Sequence, residues 1–128
     1  MIVLDTHTWL WWVNDEKTLS APARRAIDDA DTVGVPTISA MEVAALVRRG
    51  KITLDADART WIGRALALDR VVELPLTANV AFEAGSFGDD FVGDPADRII
   101  YATALAHDAR LVTADRRLAR HDPRRVVW

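Results

Sequence analysis

The sequence predicts an α/β domain built around a central, mainly parallel sheet. Three observations predict it. Short apolar, β-branched runs recur at residues 2–5, 33–36, 71–74 and 111–113. Segments with helical apolar spacing lie between them, and cap or turn residues mark the joins. Strands alternating with helices form crossover units, which leave neighbouring strands parallel. At 128 residues the chain is read as one domain, 1–128, long enough to bury a core.

Each element has a local reason. Residues 2–5 (IVLD) form a buried strand, and Thr6 to Val13 a first helix with Trp9 and Trp12 on one face. Ser20 caps a second helix at Ala21-Pro22, where proline is tolerated in the first turn. Residues 33–36 are a second strand. Ser39-Ala-Met-Glu42 matches a capping box before a helix through Arg49, and Gly50 is its natural stop. Asp55 caps a helix from Ala56 to about Asp69, with Trp61, Ile62, Ala65, Leu66 and Leu68 as its apolar face. Residues 71–74 make a third strand ended by Pro75, and Thr77 caps a helix over 78–87. Residues 88–93 read as an ordered loop. Asp94-Pro95 opens a helix to about Asp108, packed through Ile99, Ile100, Ala102, Thr103 and Leu105. Residues 111–113 are a fourth strand, 115–120 a short helical turn, and 125–128 a terminal strand.

Composition excludes several function classes. Half the residues are hydrophobic and 27% are charged, an ordinary balance for a globular chain. The absence of cysteine rules out disulfides and thiolate metal sites. His7, His107 and His121 show no zinc-like spacing. No apolar run approaches a membrane span, and the start lacks the basic region and cleavage pattern of a signal peptide, so a cytoplasmic protein is expected. A net charge of −3 is not that of a passive nucleic-acid binder. Its distribution is an acidic centre (Asp89-Asp90, Asp94 to Asp97) with basic clusters around it (Arg24-Arg25, Arg48 to Lys51, Arg116 to Arg125). That pattern suits a phosphate substrate held over metal ions.

Four acids carry the chemistry: Asp5, Glu42, Asp97 and Asp115. Each follows a strand or lies in the first turn of a helix. In an open parallel sheet such positions gather at one edge, where ligands bind. Glu42, Asp97 and Asp115 each also have a capping explanation. Asp5 has the least structural justification, because a carboxylate directly after a buried strand is seldom needed for packing and is costly to bury unpaired. Four carboxylates in contact cannot all stay ionised without a cation. Oxygen-only donors favour Mg²⁺ or Mn²⁺ over zinc, and such ions polarise phosphoryl oxygens and activate water. A receiver-like signalling domain fails as a rival, since it needs a lysine near the last strands and Lys17 and Lys51 both lie early.

Four segments of the chain resemble PIN-domain toxins of the VapC type: Leu4-Asp-Thr-His-Thr-Trp-Leu-Trp-Trp, Ser39-Ala-Met-Glu-Val-Ala, Asp94-Pro-Ala-Asp-Arg-Ile-Ile-Tyr-Ala-Thr-Ala-Leu and Leu111-Val-Thr-Ala-Asp-Arg-Arg-Leu. They come in family order and cover essentially the whole chain. The resemblance implies a three-layer α/β/α domain and a Mg²⁺-dependent endoribonuclease, Mn²⁺ being an alternative ion. It implies the toxin half of a toxin–antitoxin pair, with RNA as substrate, a cognate antitoxin as partner and a homodimer as assembly. Asp5, Glu42, Asp97 and Asp115 match the family's four acids in order. Thr113 matches the hydroxyl residue two before the last acid, and Asp94 lies one helical turn before the third as an accessory acid. Arg98 follows the third acid as in many relatives. Cleavage leaving 5′-phosphate and 3′-hydroxyl ends is implied, with the arginine clusters positioning the RNA backbone. The chain departs from the pattern at Ala96 and Met41, where aromatics are common; both positions look like packing. A metal-dependent phosphoesterase acting on DNA or another phosphodiester is the alternative on chemistry alone.

Two further residues carry expectations. His7, beside Asp5, reads as a supporting residue and not a general base, since the metal supplies the nucleophile. Trp9, Trp11 and Trp12 cannot all face one core, because neighbours on a helix diverge by about 100°. Trp11 is therefore expected either to be partly exposed or to lie buried under the second helix, and the resemblance implies an antitoxin seat on a groove of the first helices and the helix around Trp61.

Overall fold

The computed structural model describes residues 1–91 and 93–128. The elements run β1 (Ile2–Leu4), α1 (Thr6–Asn14), a single 3-10 turn (Glu16–Thr18), α2 (Ala21–Asp29), β2 (Val33–Pro36), α3 (Ile38–Arg48), α4 (Ala58–Leu66), β3 (Val71–Leu74), α5 (Ala78–Ser86), α6 (Pro95–Ala106), β4 (Arg110–Val112), α7 (Arg116–His121) and β5 (Val126–Val127). All five strands are parallel, in the order β3-β2-β1-β4-β5. The α/β class and parallel sheet read from the sequence are those observed.

The strand alternation builds two apolar layers. Ile2 and Leu4 of β1, Val33 and Val35 of β2 and Val112 of β4 face one side. There they meet Trp9 and Leu10 of α1, Ile27 of α2, Val43 of α3 and Trp61 of α4. Val3, Leu74 and Leu111 face the other side, against Ile100, Tyr101 and Ala104 of α6 and Leu118 of α7. Helix α5 packs on α6 through Val80, Ala84 and Ala102. Side chains of period two on strands, met by helices on both faces, give the three-layer α/β/α arrangement. Gly34 is a point of close approach: a Cβ there would stand 2.5 Å from Leu74 Cδ1 and 3.3 Å from Ile2 O, so a larger residue would make the Leu74 side chain shift.

Most predicted caps are present. Ser20 Oγ accepts from Ala23 N (3.1 Å) and Thr77 Oγ1 from Val80 N (3.2 Å). Gly50 follows the Arg49 C-cap with φ +69°, the left-handed turn that glycine allows cheaply.

Three expectations need correction. Helix α4 covers 58–66, shorter than the predicted 56–69, because Asp57 caps it and Asp55 does not: Asp57 Oδ1 accepts from Thr60 N at 3.0 Å. Leu68, expected on its apolar face, lies past the helix end and is exposed. The Ser39–Glu42 capping box does not form. Thr37, already helical in backbone, is the cap residue, so Ser39 lies inside the first turn and Glu42 beyond it. The 3-10 turn at Glu16–Thr18 was not foreseen. The predicted loop 88–93 includes Val92, which lies outside the described residues. Among the described residues, no helix is long and apolar enough to cross a membrane.

Candidate active site

The strand order reverses direction between β1 and β4, and the crevice beyond their carboxyl ends is where an open α/β sheet binds ligands. Leu4 is in register with Val112, so Asp5 and Thr113 emerge side by side. Asp5 N donates to Val112 O at 3.2 Å, and Thr8 Oγ1 donates to the same carbonyl at 3.0 Å, pinning the start of α1 to the end of β4.

Asp5 is fixed from both sides. Its Oδ1 accepts from Thr8 N at 2.8 Å, capping α1, and its Oδ2 accepts from the hydroxyl of Thr113. The Thr113 oxygen in turn accepts from Asp115 N at 3.1 Å, so one hydroxyl links the first acid to the last. Asp115 caps α7 through Arg117 N (2.9 Å) and pairs with the Arg117 guanidinium (3.3 Å). Asp94 and Asp97 form a reciprocal capping box at the start of α6, with bonds of 2.8 and 3.0 Å. Gly93 leaves the room Asp97 needs, since a Cβ there would lie 2.8 Å from the Asp97 Cβ.

Glu42 is held differently. Thr6 Oγ1 donates to Glu42 Oε1 at 2.5 Å and lies 3.0 Å from Ser39 Oγ. Thr6 and Ser39 are both buried. The structural roles are thus redistributed. Asp5, expected to lack one, caps α1, while Glu42, expected to cap α3, is held by side chains alone. Thr6 and Ser39 escaped the sequence reading. Their signal is a threonine directly after the first acid and a serine one turn before the second, which the local capping motif at Ser39 masks.

The electrostatics place the acids in one field. Burial pushes Asp5 above its ordinary carboxylate value, against the opposing bonds from Thr113 and Thr8. Burial also raises Glu42, with Thr6 opposing and Asp94 and Asp5 adding repulsion. Asp97 is pushed up to about 6, first by burial and then by the negative charges of Asp94, Glu42 and Asp115. Asp115 runs the other way: burial raises it, but the Arg117 side chain and the amides of α7 outweigh that and hold it low. Every one of the four acids except Asp115 is a carboxylate made reluctant to ionise by its neighbours or its burial.

Whether these residues suit a cation turns on that donor set. Hard oxygen ligands under mutual repulsion are what a hard divalent ion relieves. Among the described residues, no three acidic or histidine side chains stand close enough to form a closed ligand set. The hydrogen bonds explain why: Asp5, Asp97 and Asp115 are turned toward the amides of their own helices. The set fits in chemistry and in shared field, and a carboxylate that caps a helix keeps lone pairs for an ion.

Thr113 is the joint of this arrangement, and Thr113→Val tests it. The valine keeps the shape but removes both the donor to Asp5 and the acceptor for Asp115 N. Groups that orient metal ligands are worth roughly 10–100-fold in activity or metal affinity. A loss of that size is expected, with Ser at 113 restoring most of it. Unchanged steady-state cleavage by Thr113→Val would remove the hydroxyl from the account.

The chain was compared with known proteins. A model of the PIN domain family matches residues 2–122. Ribonuclease VapC22 of Mycobacterium tuberculosis (strain ATCC 25618 / H37Rv) is 43% identical over 129 residues, spanning 99% of this chain and 98% of that protein. In fold, the chain is similar to VapBC2 from Rickettsia felis bound to a DNA fragment from its promoter, with TM-score 0.71 and 18% identity over 98% of this chain and 97% of that one. A toxin–antitoxin complex from Klebsiella pneumoniae gives TM-score 0.70 and 18% identity, over 100% of this chain and 97% of that one. At such identities these two speak for the fold. The family match over nearly the full length, together with the mycobacterial relative, settles membership: the chain belongs to the PIN-domain family.

Proposed function

We propose that this protein is a divalent-metal-dependent endoribonuclease and the toxin of a toxin–antitoxin pair. The observation that supports the chemistry is the shared field of the acids at the β1/β4 crevice, where burial first, and then the charges of Asp94, Glu42 and Asp115, push Asp97 up to about 6. Mycobacterial ribonuclease VapC22, 43% identical, supports RNA as the substrate. Asp5, Asp97 and Asp115 would hold the ion, with Glu42 completing the set directly or through water. Mg²⁺ or Mn²⁺ suits these oxygens and would supply charge neutralisation at the phosphodiester and an activated water.

The protein's own share is positioning. Thr113 sets Asp5 against Asp115, Thr6 and Ser39 set Glu42, and the α6 capping box sets Asp97 beside Asp94. Exposed arginines, among them Arg116 and Arg120, can steady the RNA backbone without reading its sequence.

A cognate antitoxin is the proposed partner, in keeping with the fold's likeness to the toxin–antitoxin complex from Klebsiella pneumoniae. Its proposed seat is the groove between α1 and α4, lined by Val13, Asn14, Trp61, Arg64 and Leu68. Trp11 is half-buried, between His7 and Trp128, and does not line that groove. A homodimer is proposed on a separate face.

The test is cleavage with end mapping. Wild-type protein is expected to cut RNA to 5′-phosphate and 3′-hydroxyl ends, and Asp5→Asn, folded by circular dichroism, to cut none. Cleavage of DNA with RNA left intact would move the site to the alternative phosphodiesterase reading.

A further inference from the structure

Beside the acids lies a cleft of about 290 Å³ in which the chemistry above uses Glu42 and Asp94 but leaves His7, Met41, Leu46 and Arg49 unused. Its lining includes His7, Met41, Leu46 and Arg49, with Glu42 and Asp94 in its wall. The sequence builds it from two helical stripes. His7 and Trp11 are four apart on α1, and Met41, Ala45 and Arg49 are each four apart on α3, so each set shares one face.

Three features of the lining are unusual for a merely solvated surface. Met41 is 59% exposed, a large thioether left in water directly beside an acidic centre. His7 is exposed and backed by an aromatic row, with Trp11 at 5.7 Å from it and Trp128 at 5.6 Å from Trp11. Arg49 is exposed at the end of α3, and among the described residues no acid pairs with it. The cleft therefore offers an aromatic edge, a soft apolar floor and a cation, continuous with the four carboxylates.

That combination matches one ligand chemistry. A nucleobase needs a flat apolar or aromatic surface for its face, and its phosphate needs a cation. The volume lies at the foot of the roughly 300–1,000 Å³ range for small ligands, room for one nucleoside. A base enters only when it is out of a helical stack. We propose that this cleft holds one unstacked nucleotide of single-stranded RNA, its base on His7 and Met41 and its phosphate at Arg49, next to the phosphodiester at the acids. The proposal rests on the ribonuclease reading and adds to it a base-binding subsite beside the acids.

The test measures binding by fluorescence anisotropy, on the full chain carrying Asp97→Asn with Mg²⁺ present. The probes are an oligoadenylate and a base-free oligomer of the same length and backbone. The oligoadenylate is expected to bind roughly tenfold more tightly, the scale of one base stacked on protein. His7→Ala and Met41→Ala are each expected to cut that ratio to about threefold or less. Arg49→Gln is expected to weaken both probes alike, since a phosphate contact is blind to bases. Because Met41 is exposed, its truncation leaves the core intact. A ratio near one in the parent, or a ratio unmoved in both cleft variants, overturns the subsite. Unchanged RNA ratios with loss of antitoxin binding overturn it in favour of a protein occupant. If the chain with all four acids neither binds nor cuts any RNA, the ribonuclease reading has failed as well, which the other outcomes leave standing.

Discussion

Replacing Asp97 with asparagine is expected to lower RNA cleavage by about a hundred- to a thousandfold, while making the metal-free protein more stable at neutral pH. The activity loss follows from the proposed role of Asp97 as a charged metal ligand, an effect of that order where charge is preorganised. The stability gain follows from the carboxylate's discomfort. Asp97 titrates near 6 in the folded protein against 3.8 for a free aspartate, because it is half-buried among Asp94, Glu42 and Asp115. A folded pKa above the unfolded one means that the folded state binds more protons between those values, so stability falls as pH rises through them. The cost is absent below 3.8 and complete above about 6. Asp97 is partly exposed, and solvent screening reduces it to about 1 kcal/mol.

Asparagine removes that cost yet can still accept the Asp94 N–H. Wild type and Asp97→Asn are therefore expected to share one melting temperature at acid pH. They should diverge by a few degrees by pH 7, the variant being higher. Added Mg²⁺ should reverse the order, raising the wild type alone. Parallel pH profiles for the two proteins would contradict the shared field.

The second large effect concerns the layer beneath the site. Trp61→Ala is expected to cost about 3–5 kcal/mol, the usual range for removing a buried aromatic. Trp61 is 3% exposed, meets Trp9 edge-on at 5.0 Å, and donates its Nε1 proton to Asn14 at 2.9 Å. It thus ties α4 to α1, the helix that starts at Asp5. A domain with a total stability of 5–15 kcal/mol has little to spare for such a loss. The denaturation midpoint should fall sharply, and cleavage should fail at temperatures the wild type tolerates. Trp61→Phe should lose much less, because the ring contact with Trp9 survives and Asn14 is exposed to water. A cost under about 1 kcal/mol for Trp61→Ala would mean that α4 is docked by something other than this pair.

How far the sequence discloses all this differs from element to element. The strands at 33–36 and 71–74 are read to the residue, since a β-branched run closed by proline leaves little choice. The α6 start is equally plain, because Asp94 and Pro95 are both textually local signals for a helix N-terminus. Boundaries fail where two caps compete: Asp55 and Asp57 are alike in one dimension, and only the position of Thr60 chooses between them. Ser39 fails for the opposite reason. Its local motif is a good capping box, but Thr37 turns into the helix early with its hydroxyl bonded to Leu74 O of the neighbouring strand. Ser39 is thereby carried inward to meet Thr6. That contact joins residues 33 apart, and no local pattern contains it.

The site shows the same division. The four acids are visible as types after strands and near helix starts. Their mutual repulsion, the Thr113 bridge and the space left by Gly93 all depend on how distant segments meet. Asp5 is instructive: the carboxylate with the least structural justification in the sequence is the cap of α1, so its structural role and its proposed chemistry fall on one side chain.

That double use makes metal dependence the point on which the account stands. The direct measurement is RNA cleavage by the wild-type protein in excess EDTA, followed by addition of Mg²⁺ or Mn²⁺ to the same sample, with melting temperature recorded alongside. The account expects no cleavage in EDTA, full recovery with either ion, and a rise in melting temperature on adding the ion that Asp97→Asn lacks. Cleavage that persists in EDTA would contradict it.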